Sequence, residues 1–163
     1  MITTILLSLT LMVLLFIMVW AAAALIQDRR LLSTGPKDVI AAVQEHPERF
    51  RGQRVLGWTI LLGAGAGLVS AFVYAGWDGL RHGYRFHKLF GRYLFMLYAL
   101  KAFDIIALDW YLLSKSHFFQ HYFPETEGCA GYKDFGFNQK EQLVRIALFP
   151  LAALLLAGIC VRF

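Results

Sequence analysis

Cysteine and clustered charge are scarce in this sequence, and each scarcity excludes a class of protein. Only two cysteines occur among 163 residues, Cys129 and Cys160, and they form no CxxC pair. A CxxC thiol oxidoreductase and a structural zinc site are therefore poorly supported. The net charge is +5, but the basic residues lie between apolar blocks rather than in one stripe. This distribution is typical of residues that flank a membrane, so we expect no nucleic-acid partner.

The longest apolar run stands at the start of the chain. Residues 2–26 contain no charged side chain, and about 20 apolar residues suffice to cross the hydrocarbon core of a bilayer. The run exceeds the apolar part of a secretory signal peptide, and no basic residue precedes it. We therefore expect residues 2–26 to be a first span that is not cleaved.

Three further apolar blocks follow at 55–76, 89–113 and 143–160. Hydrophobic residues make up 58% of the sequence, more than a soluble domain of 163 residues can hide from water. Tryptophan is typical of the headgroup level of a bilayer, and every tryptophan lies near a predicted span end: Trp20, Trp58, Trp77 and Trp110. These patterns predict an all-α integral membrane protein, a four-helix bundle that forms a single transmembrane domain in the lipid bilayer.

Basic residues predict how the spans are oriented. In or beside connections one and three, which follow the first and third spans, there are ten lysines and arginines, whereas the second connection and the C-terminal tail hold five. Since basic residues concentrate in cytoplasmic loops, we expect connections one and three in the cytoplasm and both termini outside. The expected location is the cell membrane, with several passes.

The first connection is predicted to contain a short amphipathic helix on the membrane surface. Pro36 suits the first turn of a helix, and Ser33 or Thr34 would be its cap. Three apolar residues share one face of this helix: Val39, Ile40 and Val43. His46-Pro47 then ends the helix. The alternative is a solvated linker, and His46 is interpreted as an exposed residue.

The third helix is predicted to project from the membrane. No proline occurs from Leu89 to Phe123, and a helix of that length, at about 1.5 Å per residue, is longer than the hydrocarbon core. Pro124 then ends the helix. In the loop that follows, Phe135 and Phe137 are expected to fold back onto the bundle.

Ionisable residues inside the third span form a first candidate site. Lys101 and Asp104 lie near the expected midplane, and their i,i+3 spacing allows contact. On an α-helix Tyr93 and Tyr111 fall on the same face as Asp104, so we group these four as candidate binding residues. Because an ionised group at this depth costs at least about 2.5–3.5 kcal/mol, the pair must face the bundle or a wet cavity. The pair is an internal ion pair that fixes packing, a ligand or ion site, or a proton relay or catalytic pair.

A second candidate site lies at the end of the same helix. On an α-helix Asp109 points away from Asp104, toward the side of His117 and His121, whose i,i+4 spacing is that of a metal chelate. With Glu125 folded back, these residues would suit zinc, iron or manganese, and Glu127 would serve as general base. The alternative is a pair of interfacial histidines without metal.

The segment from Phe90 to Gly128 resembles part of a family of small polytopic bacterial membrane proteins of uncharacterised function. The resemblance is carried by the FD-x4-DW spacing from Phe103 to Trp110 and by the PETEG turn from Pro124 to Gly128. It implies no activity and no functional residue. It implies only that this segment is where function resides.

Three functions compete at this point. The first is a non-enzymatic helical bundle that binds a ligand or ion, or that serves as a subunit of a membrane complex. The second is a metal-dependent membrane enzyme that acts on a lipid or isoprenoid substrate. The third is a proton-coupled transporter, which with four spans requires a homo-oligomer.

Overall fold

Helices supply the regular structure throughout the described residues. The structure is a computed structural model that describes residues 1–32, 35–44, 46–134 and 136–162. Within these ranges the chain forms α-helices, wider π-helical turns and short 3-10 turns, and no strand. The all-α prediction is confirmed.

The helices follow the predicted order along the chain. The α-helices are α1 (Ile2–Ala21), α2 (Lys37–Ala42), α3 (Gln53–Arg81), α4 (Phe86–Phe103), α5 (Phe118–Tyr122) and α6 (Gln139–Arg162). Helix α1 continues as a π-helical turn over Ala22–Ile26, and α4 continues as a longer π-helical stretch over Asp104–Lys115, here called the wide segment. Short 3-10 turns occupy Arg29–Leu32, Pro124–Thr126 and Ala130–Lys133.

Helices at three of the four predicted span positions are long and apolar enough to cross a membrane. They cover Ile2–Ile26, Gln53–Arg81 and Gln139–Arg162. The block predicted at 89–113 is also helical, but its helix carries several charged side chains, Lys88, Arg92 and Lys101 within α4 alone. Length and composition therefore indicate three candidate spans.

The third helix is shorter than predicted. It ends at Lys115, because Ser116 adopts extended backbone with a ψ of 142°. Residues 118–122 form the separate helix α5, which begins after His117. The expectation of one unbroken helix to Phe123 is therefore wrong.

The short helix of the first connection forms as α2, and its apolar face is buried against protein. Val39 packs in one cluster with Leu113 and Tyr132, and Val43 packs in another with Ala23 and Phe123. The third connection therefore covers the face that the sequence assigned to the membrane surface.

Two predictions about the connections concern residues of which the structure describes nothing. The proposed cap at Ser33 or Thr34 and the folding back of Phe135 lie outside the described residues. Phe137 is described, and it packs against the cluster of Val39 and Tyr132 as predicted.

One apolar core joins α1, α3, α4 and α6. Its buried members include four alanines that allow the helices to approach closely: Leu11, Ala71, Ala75, Leu89, Tyr93, Met96, Ala153 and Ala157. By contrast, large apolar side chains on the outer faces of α3 and α6 are exposed, such as Val69, which is 65% exposed, and Leu155, which is 61% exposed. Exposed apolar faces of this extent are typical of surfaces that contact lipid.

A buried ion pair links α3 to α4. Arg92 donates from Nη2 to Asp78 Oδ2 at 2.7 Å and from Nη1 to the carbonyl of Ala75 at 2.9 Å. The side chain of Arg92 is only 2% exposed, and its guanidinium lies 5.7 Å from the ring centroid of Tyr84. The sequence analysis identified neither partner of this pair.

We expect Asp78→Ala to destabilise the protein by about 3–5 kcal/mol, since it leaves the Arg92 charge buried without its partner. The matched control is Glu141→Gln, which breaks the exposed Glu141–Arg145 pair at 3.6 Å and is expected to change stability by about 0.5 kcal/mol or less. Denaturant unfolding in detergent micelles measures both. Equal losses in the two variants would contradict this account.

Candidate functional site

The wide segment changes which residues share a face of the third helix. In a π-helix the repeat is i→i+5 rather than i→i+4, and here Ser116 N–H donates to the Tyr111 carbonyl at 2.8 Å. Asp104 and Asp109 are five residues apart, so they lie on one side of this segment. Both residues line the same cavity. The sequence prediction, which assumed α-helical geometry, assigned the two residues to separate sites, whereas both line this cavity.

That cavity has a volume of about 330 Å³ and lies between α1, α2, the wide segment and the third connection. Its wall on α1 and the π-helical turn that follows is formed by Leu15, Met18, Val19 and Ala22. Leu108 and Leu113 of the wide segment face it from the other side, and Val39 and Ile40 of α2 close one end. Such a cavity, apolar with a few polar groups, has the size and composition of a small-molecule site.

Lys101 neutralises Asp104 at the edge of the cavity. Lys101 Nζ donates to Asp104 Oδ2 at 2.5 Å, across the predicted i,i+3 spacing. The lysine side chain is 7% exposed, whereas that of Asp104 is 27% exposed. Asp104 thus lines the cavity, whereas Lys101 is more deeply buried and is not among the lining residues.

Asp109 is held by amide groups at the start of α6, one within the helix and one on the residue before it. Gln142 Nε2 donates to Asp109 Oδ2 at 2.7 Å, and Asn138 Nδ2 lies 3.4 Å from the same oxygen. Sequence reasoning did not identify these partners, although Gln142 directly precedes a predicted span, where a buried amide needs a polar contact. On its other side Asp109 borders a second cavity between the wide segment and α6.

Aromatic side chains from the third connection also line the cavity. They are Phe119, Phe123, Tyr132 and Phe137. The Tyr132 hydroxyl lies 2.6 Å from Thr126 Oγ1, and burial raises the pKa of Tyr132 above its ordinary value. Tyr132 is therefore a neutral phenol at physiological pH.

The two tyrosines grouped with Lys101 and Asp104 are not part of this site. Tyr93 is buried in the central core, where its hydroxyl donates to the Phe72 carbonyl at 3.2 Å and lies 3.1 Å from Cys160 Sγ. Tyr111 is 58% exposed, because the wide turns rotate it away from Asp104. The structure brings together only the Lys101–Asp104 pair of the predicted four.

The predicted metal ligands are dispersed. His117 and His121 are exposed, and Asp109 bonds to α6 instead. Among the described residues no three His, Cys, Asp or Glu side chains lie close enough to hold a metal ion. Glu127, the predicted general base, is exposed on the turn before Gly128.

Glu125 has a different partner from the one predicted. Its Oε1 accepts the backbone N–H of Gln44 at 2.9 Å and lies 3.1 Å from His46 Nε2. His46, interpreted as exposed, is thus half-buried against the third connection. Burial raises the pKa of Glu125, but the hydrogen bonds from Gln44 and His46 outweigh it and lower that pKa below the ordinary value of 4.5.

We expect the Glu125 contact to stabilise the protein above its ordinary pKa of 4.5 and to be lost as the pH falls through the lowered pKa of the folded state. Glu125→Gln should therefore reduce the thermal midpoint at neutral pH and flatten its decline on acidification. Glu127→Gln, two residues away and exposed, is the matched control. Thermal unfolding of the detergent-solubilised variants across this pH range measures the effect, and identical pH profiles for wild type and Glu125→Gln would contradict it.

Comparison with known proteins adds no relative to these observations. No protein-family model, no curated protein and no solved structure matches the chain. The function must therefore be inferred from the cavity and its two carboxylates.

Proposed function

We propose that the chain is a cell-membrane protein with four spans, in which the charged third helix crosses the bilayer inside a four-helix bundle. Support comes from the apolar core that α4 shares with α1, α3 and α6, and from the pairing of Arg92 and Lys101 with carboxylates. A charged helix can cross a bilayer when its charges are paired and face protein, even though its composition does not identify it as a span. Both termini lie outside in this arrangement, and connections one and three are cytoplasmic.

The topology is tested with single cysteines in a Cys129→Ser, Cys160→Ser background. Arg85→Cys and Glu127→Cys place a thiol at exposed positions in connections two and three. An impermeant maleimide added to intact cells should label the first variant only, and permeabilisation should be required for the second. Labelling of both variants from the same side would show that the third helix does not cross the membrane.

We propose that this protein is a non-enzymatic binder of a small, largely apolar ligand, which occupies the cavity between α1 and the wide segment. The observation that carries the proposal is the position of Asp104 and Asp109 on the wall of an apolar cavity. A pair that served packing alone would be enclosed by other side chains, whereas Asp104 keeps 27% of its side chain exposed. Two carboxylates in an apolar wall can fix the orientation of a ligand.

The other candidate functions gain no specific support. The dispersed positions of His117, His121 and Glu125 do not favour the metal-dependent enzyme. No observation favours an oligomeric proton-coupled transporter. A role as subunit of a membrane complex is compatible with ligand binding, as is the proposed place among small polytopic bacterial membrane proteins.

The binding proposal is tested by photolabelling in lipid nanodiscs with a neutral dodecyl chain that carries a diazirine. We expect labelling of the cavity wall, at peptides that contain Met18 or Leu108, and competition by excess dodecanol. Leu108→Trp fills the cavity from the wide segment, and Ala22→Leu fills it from the π-helical turn after α1. Each substitution should therefore reduce this labelling several-fold. Ile106→Trp is the control, because Ile106 is 60% exposed on the same segment.

Two results would contradict the proposal. One is labelling of Met18 and Leu108 that dodecanol does not compete, as expected for surfaces that simply contact lipid. The other is unchanged labelling of Met18 in both cavity-filling variants while Ile106→Trp behaves as wild type.

A further inference from the structure

The charges around the cavity do not balance. Asp104 and Asp109 both border it, but Lys101 pairs with Asp104 only. Among the described residues that line the cavity there is no lysine, arginine or histidine. Asp109 therefore borders a largely apolar space without a cationic partner, and isolated buried charge is unfavourable.

The hydrogen bonds of Asp109 leave one of its oxygens without a protein donor. Both amide donors, Gln142 and Asn138, approach Oδ2. Oδ1 has no hydrogen-bond partner among the described residues. An ionised carboxylate accepts several hydrogen bonds, and its strongest donors are cationic. The free oxygen is thus suited to a positively charged donor.

The rest of the cavity favours the same kind of ligand. Aromatic rings attract a cation over their faces, most strongly where water is excluded, and here Phe119, Phe123 and Phe137 line the cavity with Tyr132. A carboxylate or phosphate on the ligand would meet two acidic residues and no basic one. Anionic amphipaths are therefore disfavoured.

We infer that the cavity binds an organic cation with an apolar tail, whose ammonium group pairs with Asp109 Oδ1 while its tail lies against Met18, Val19 and Leu108. The inference rests on the proposed binding function and adds the charge of the ligand to it. The Lys101–Asp104 pair has no net charge, so the cavity is expected to accommodate one positive charge on the ligand.

The test uses three unlabelled competitors of equal chain length, dodecylamine, dodecanol and dodecanoate, against the neutral diazirine probe in nanodiscs of zwitterionic lipid. Wild type, Asp109→Asn and the exposed control Glu127→Gln are compared. Each competitor partitions equally into the nanodiscs of every variant, so differences between variants report the cavity. Dodecylamine should compete at least about tenfold less effectively in Asp109→Asn than in wild type, with dodecanol unchanged and Glu127→Gln like wild type.

The outcomes separate the two proposals. Equal competition by dodecylamine in wild type and Asp109→Asn, with labelling still saturable by dodecanol, would overturn the cationic ligand and leave the binding function intact. Wild-type labelling that no competitor saturates would overturn the binding function itself. If Asp109→Asn loses dodecanol competition as well, Asp109→Glu decides: recovered preference for dodecylamine supports the inference, and no recovery overturns it.

Discussion

The π-helical turns of the third helix determine where its charges lie. From Asp104 onward the hydrogen bonds reach five residues back, which turns Asp109 onto the side of Asp104. Two serines add side-chain hydrogen bonds to this segment: Ser114 donates to the Asp109 carbonyl at 3.1 Å and Ser116 to that of Leu112 at 2.7 Å. π-helical turns are frequent at functional sites, and here one borders the cavity along its length.

A second wide turn ends α1 on the opposite wall and depends on α3. Gln53 is 2% exposed and donates from Nε2 to the Leu25 carbonyl at 3.0 Å, one of the carbonyls that the end of the helix leaves free. Gln27, with a positive φ of 54°, then turns the chain and donates to the Tyr122 carbonyl at 3.2 Å. The first connection is thereby fixed to the third, and Asp38, which accepts the Gly131 N–H at 2.7 Å, holds α2 over the cavity.

The sequence was sufficient for local features and insufficient for contacts between distant segments. Apolar runs predicted the helices, and i,i+3 spacing predicted the Lys101–Asp104 pair, because both depend only on helical periodicity. The His46–Glu125 contact joins residues 79 positions apart, and no local pattern indicates it. The wide segment has no compositional signature, so the assumption of 100° per residue placed Asp109 and Tyr111 on the wrong faces.

The two ion pairs of the third helix differ in exposure, and this difference separates their roles. Arg92 and Asp78 are enclosed between helices, where the guanidinium also bonds the Ala75 carbonyl, so this pair fixes α4 against α3. Lys101 and Asp104 satisfy each other at the edge of a space that other side chains do not fill. Asp109 has neither arrangement, since its donors are neutral amides. A carboxylate held by neutral donors beside an apolar cavity is stabilised most by a cation that enters the cavity, which is why we assign the recognition of ligand charge to Asp109.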